Sequence, residues 1–130
     1  VNANKKGTTM SVKLLLNPAA EAKAFTHPET GITFHIRLVT PAEHEAIRAA
    51  SRNKSSGVLD VSKWGENYAV KAIADWGDEV GDKTGPLPCN EANLRIFGRQ
   101  QAVNIIPWIA EQATSLEQFR IEEETAAKNG

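Results

Sequence analysis

The chain has 130 residues, with 15 Lys or Arg against 16 Asp or Glu and a formal net charge of -1. That length fits one domain, or one domain plus tails, burying roughly two-thirds of the unfolded surface, and the near-zero charge lacks the basic footprint of a nucleic-acid binder. A single cysteine excludes an intramolecular disulfide framework and a Cys-based zinc cage, and no apolar run approaches the ~20 residues that a membrane-spanning helix needs.

Residues 1–9 are polar and non-periodic and read as a disordered tail. One globular domain is expected over residues 10–126, with 127–130 a frayed end. The run Leu14 to Leu16 stops at Asn17-Pro18, a pair that favours a turn, so it reads as a short strand or extended arm. Residues 23–39 read as a β-hairpin. In its second arm Ile32, Phe34, Ile36 and Leu38 alternate with Thr33, His35 and Arg37, the period of a half-buried strand. The connection His27-Pro28-Glu29-Thr30-Gly31 suits a hairpin loop.

Thr40-Pro41-Ala42-Glu43 is a helix start. Thr40 can cap, Pro41 takes a position where a missing N–H costs nothing, and Glu43 completes a capping box. This helix is expected to run to the Asn53–Gly57 breaker. A second helix is predicted from Asp60–Ser62 to Trp76, on the apolar stripe Val61, Trp64, Tyr68, Ala69, Ala72, Ile73 and Trp76, with Gly77 ending it. Gly65 weakens that helix but permits a close neighbour. Residues 77–89, rich in Gly and Pro, read as an irregular loop. Asn90 can cap a short helix carrying Leu94, Ile96 and Phe97 and stopped by Gly98. Residues 99–106 look helical until Pro107, where the helix kinks or a new one begins. A last helix on Trp108, Ile109, Gln112, Leu116, Phe119 and Glu123 is expected to reach about residue 126. The fold class is thus α+β and mostly helical: an N-terminal β-hairpin packed against four or five α-helices.

No constellation carries catalysis. Between Gly77 and Gly85 the P-loop spacing fails, because Asp82 separates Gly81 from Lys83-Thr84, and the neighbouring carboxylates would repel phosphate. An EF-hand starting at Asp78 would need an acid at Val80 and a Glu at Cys89, and has neither. His27, His35, His44 and Cys89 show no metal-ligand spacing, and read as surface histidines and a structural thiol. Catalytic, metal and cofactor roles are assigned to none. Three tryptophans, Trp64, Trp76 and Trp108, lie on apolar stripes. At least one should be half exposed, with Trp76 and Trp108 the better placed to anchor a partner.

The segments Val58 to Trp64, Lys71 to Val80 and Asp82 to Leu94, with the helix start Leu38 to Glu43, resemble tail assembly chaperones of long-tailed bacteriophages. The shared features are a tryptophan followed by an acidic segment, a turn containing proline, a capped short helix bearing a leucine, and a Leu-Thr-Pro-acidic helix start. The resemblance covers roughly residues 22–110. It departs at Cys89, where an aromatic or apolar residue is more usual, and at Asn93-Leu94, one residue late. It implies a small non-enzymatic chaperone acting in the host cytoplasm and missing from the mature virion. Its partners would be the tape measure protein and the major tail tube protein, with no nucleic acid or membrane and possible homo-oligomers. Trp76, Leu94, Phe97, Trp108 and Ile109 would then contact the partner through apolar recognition of an amphipathic segment, the acidic loop setting selectivity by charge. A structural virion or prophage subunit, such as a tail terminator or connector, is the alternative.

Overall fold

A computed structural model describes residues 22–115. The expected N-terminal tail, the arm at Leu14–Leu16, and Leu116, Phe119 and Glu123 of the last stripe lie outside those residues. Within them the chain is mixed α+β, with four helices and a small antiparallel sheet.

The hairpin forms, but over a shorter span than 23–39: its second strand ends at Ile36, and beyond it Val39 rather than Leu38 is buried. Strand β1 (Lys23–Thr26) pairs antiparallel with β2 (Thr33–Ile36), Phe25 opposite Phe34. Phe34 and Ile36 are fully buried while His35 faces solvent. The capping box is also present. Thr40 Oγ1 accepts from the Glu43 N–H (3.2 Å), the Glu43 carboxylate accepts from the Thr40 N–H (3.0 Å), and helix α1 (Pro41–Ala50) follows.

The second predicted helix is corrected. Helix α2 (Val61–Ala72) ends at Ala72, and Ile73–Trp76 is a strand, β3, which pairs antiparallel with β2. Gly77 therefore follows a strand rather than a helix. The expected hairpin is thus part of a three-stranded sheet in the order β1-β2-β3, with β2 at its centre. The misreading has a physical cause. Phe34 pairs with Trp76, His35 with Asp75 and Ile36 with Ile73, so Ala74 is an extra residue in the ladder. A β-bulge of this kind puts Ile73 and Trp76 on one face although they are three apart, which mimics the spacing of a helix.

The loop at 77–89 is not wholly irregular. Gly81–Asp82 (β4) and Gly85–Pro86 (β5) form a minimal two-stranded ribbon, its turn held by the Asp82 carboxylate accepting from the Thr84 N–H (2.9 Å). Helix α3 (Glu91–Gln100) starts at the Asn90 cap but runs through Gly98 rather than stopping there. Helix α4 (Ile105–Ala113) begins two residues before Pro107, placing the proline in the first turn where no N–H is needed. It closes at Thr114, short of the expected residue 126.

Gly98 stays in its helix because of where it packs. A Cβ on Gly65 would collide with the Gly98 carbonyl and lie 2.7 Å from the Ala102 Cβ, and a Cβ on Gly98 would collide with the Gly65 carbonyl. The two helices therefore meet backbone to backbone. Around this crossing Glu66 pairs with Arg99 (2.7 Å) and Arg95 (3.7 Å), partly exposed bridges that add little stability each. Gly65→Ala should gain up to ~1 kcal/mol of helix propensity and lose more to overpacking, for a net destabilisation of about 2 kcal/mol. A lower urea midpoint at unchanged m-value is the expected readout, and an unchanged or raised midpoint would contradict the close crossing.

Candidate partner-binding site

The five residues proposed from the sequence turn out to be mostly interior. Trp76, Leu94 and Ile109 are buried, at 7%, 7% and 0% exposure, and cannot present themselves to a partner in this conformation. Trp76 is closed off because its strand turns it inward, where its indole N–H donates to the Leu87 carbonyl (2.9 Å). Phe97 and Trp108 are half-buried and pack against the same core. Phe97 lies between Phe34 and Trp76, at ring distances of 5.6 and 5.4 Å, and Trp108 lies 6.3 Å from Phe34. The fold does gather Trp76, Phe97 and Trp108, but around Phe34 as the seam between sheet and helices.

His27 is not a surface histidine. It is 7% exposed, its Nδ1 accepts from the Thr30 N–H (3.2 Å), and its ring meets Trp108 edge-on at 4.9 Å. His35 is exposed on the outer face of the sheet. Burial, then the nearby Asp75 carboxylate, push the half-buried Cys89 thiol up to about 11, so it stays protonated near neutrality. Trp64 is half-buried, and its indole N–H has no hydrogen-bond partner among the described residues. Also among the described residues, no group of three or more His, Cys, Asp or Glu is placed to hold a metal ion, and no helix is long and apolar enough to cross a membrane.

Among the described residues, an open groove of about 380 Å³ lies at the start of α1. Leu38, Val39 and Pro41 supply its apolar wall, and Thr40, His44, Glu45 and Thr114 its polar edge. It exists because the chain leaves β2 extended and then turns into a capped helix. The Val39 N–H donates to the Ala113 carbonyl (2.8 Å), fixing the exit from β2 to the end of α4. The Glu43 carboxyl lies below its ordinary value, held there by the Thr40 N–H and then by Lys71 at 3.1 Å. That carboxylate already serves the positive end of α1.

Beneath the edge, His44 Nδ1 lies 2.8 Å from the Tyr68 hydroxyl. Tyr68 is fully buried, and burial raises its phenol to about 12, so it keeps its proton. A buried hydroxyl needs an acceptor, and Nδ1 is the one at hand. Tyr68 therefore donates to Nδ1, which places the His44 ring proton on Nε2. That leaves a ring N–H with no partner among the described residues.

The sequence does not single out this groove. The available signal was Leu38-Val39: two successive apolar residues leaving a strand point to opposite sides, so one of them must end outside the core. Val39 is the buried one and Leu38 is half exposed. Exposed Val58, Val61, Ile96 and Val103 are also present, and isolated apolar side chains of that kind are ordinary on a surface. Compared with known proteins, the chain matches no family model, no curated protein and no solved structure.

The Tyr68 shift gives a signed pH dependence. The unfolded phenol ionises near 10 and the folded one near 12, so above pH 10 the unfolded state sheds a proton that the folded state retains. Folding stability contributed by this group is complete below pH 10 and declines as pH rises to about 12. In urea titrations the stability advantage of the wild type over Tyr68→Phe should shrink across that window. A constant gap would refute the buried, protonated phenol.

Proposed function

We propose that this chain is a non-enzymatic chaperone of phage tail assembly that binds the tape measure protein, keeps it soluble and recruits the major tail tube protein to it. In this reading it acts in the host cytoplasm and departs before the tail is finished.

The observation that carries the reading is a coincidence of motif and surface. Leu38 to Glu43, the Leu-Thr-Pro-acidic segment of the resemblance, is the stretch whose Leu38, Val39, Thr40 and Pro41 line the groove. The other resembling segments have scaffold roles elsewhere in the fold. Trp76 ties β3 to Leu87, and Asn90 caps α3 by accepting from the Asn93 N–H (2.9 Å). A long helical client offers repeated apolar side chains, and a small open groove beside a rigid helix start suits such segments through many weak contacts. Because Trp76, Leu94 and Ile109 are interior, the groove replaces them as the contact surface.

The test is affinity capture of the full chain from cells producing the particle, with mass spectrometry of both the captured material and purified particles. A very long helix-rich chain and the tail tube subunit should co-purify, and the finished particles should lack this protein. Its presence in finished particles at stoichiometric amounts would contradict the proposal and favour a structural tail subunit.

A further inference from the structure

We propose that Ile73–Trp76 is a two-state segment, strand β3 in its major form and a further turn of α2 in its minor form, with Arg37 and Asp75 as the clasp that holds the strand. Neither form depends on the chaperone reading.

Nothing local stops α2 at Ala72. Helices commonly end on a glycine or asparagine in the left-handed region. Here the chain passes straight to Ile73, at φ -90° and ψ 117°, and the first glycine beyond it is Gly77. The Ile73 N–H still donates to the Ala69 carbonyl, which is the bond of a continuing helix. Side-chain spacing allows continuation too. Ile73 and Trp76 extend the stripe of Tyr68, Ala69 and Ala72, so they share an apolar face in a helix as they do in the bulged strand.

What stops the helix is that the groups its next turn needs are taken. Helical continuation pairs the N–H groups of Asp75, Trp76 and Gly77 with the carbonyls of Lys71, Ala72 and Ile73. Arg37 occupies all three acceptors: its backbone N–H donates to Ala72 (2.7 Å), and its guanidinium to Lys71 and Ile73 (3.4 Å each). On the donor side, the Trp76 N–H is held by the Asp75 carboxylate at 2.9 Å. Asp75 also opposes a longer helix by charge, because a carboxylate in a last turn meets the negative end of the helix dipole.

The β2–β3 ladder and the burial of Ile73 and Trp76 make the strand the major form. Conversion to helix frees the edge of β2 and parts Trp76 from the Leu87 carbonyl and from Phe97. Anything that binds those released groups draws the population toward the helix by its preference for that form.

The experiment is chemical-exchange saturation transfer on the Cα resonances of Ile73, Ala74, Asp75 and Trp76 in the full chain, for wild type, Arg37→Ala and Asp75→Ala. Arg37→Ala removes both guanidinium bonds and should raise the helical population about tenfold, as for lost hydrogen bonds to a charged group. Asp75→Ala releases the Trp76 N–H and improves helix propensity, and should raise that population several-fold. In both variants all four Cα resonances of the second form should take helical values. Should Arg37→Ala fail to fold, Asp75→Ala decides, since Asp75 is exposed. A single strand-like state in the variants, a second state with random-coil shifts, or a helical population no larger than that of the wild type would overturn the proposal.

Discussion

The backbone N–H of Arg37 donates to the carbonyl of Ala72 (2.7 Å), and its guanidinium reaches the carbonyls of Lys71 and Ile73 at 3.4 Å each. These bonds meet the carbonyls that a helix leaves unpaired at its C-terminal end. They let α2 pass into β3 with no intervening loop. Much follows from that handover. It completes the sheet around Phe34 and Ile36, turns Trp76 inward against Phe97, and sets Tyr68, one turn before the end of α2, under His44. Four residues of continued helix would remove all three.

The sequence made the local chemistry legible where one residue type has one local solution. Thr40, Pro41 and Glu43 determine a capping box from neighbours alone, and the alternation through Phe34 and Ile36 determines a half-buried strand. Elements were misread where a distant partner decides. Ile73 and Trp76 share a face in either structure, once through helical rotation and once through a bulge, so their spacing cannot choose between them. Gly98 stops a helix by local rules, yet here it lies inside one, because Gly65 on another helix requires its missing side chain. The cost of glycine in both helices is offset by an approach of backbones that no larger residue allows.

The same reasoning explains the fate of the candidate site. Aromatic and aliphatic residues on a stripe are equally suited to a core or a partner. With few elements in a small fold, the core claimed Trp76, Leu94 and Ile109 first. On the proposed reading, the surface for a partner lies at the seam between elements: the exit from β2, the first turn of α1 and the end of α4. The backbone of that groove is tied at both sides, Val39 to Ala113 and Thr40 to Glu43. Rigid, mostly apolar sites with a few fixed donors lose little entropy on binding. On the proposed chaperone reading, this property suits brief, repeated engagement of a long client.

The claim at the centre of this account is that partner contact occurs at the groove and not at the other exposed apolar positions. Site-specific photocrosslinking in particle-producing cells tests it directly, with a photoreactive residue placed in turn at Glu45, Ile96 and Val103. The account predicts one high-mass crosslinked product, the tape measure chain, from Glu45 and none from Ile96 or Val103. Crosslinking from Ile96 or Val103 with nothing from Glu45 would contradict it.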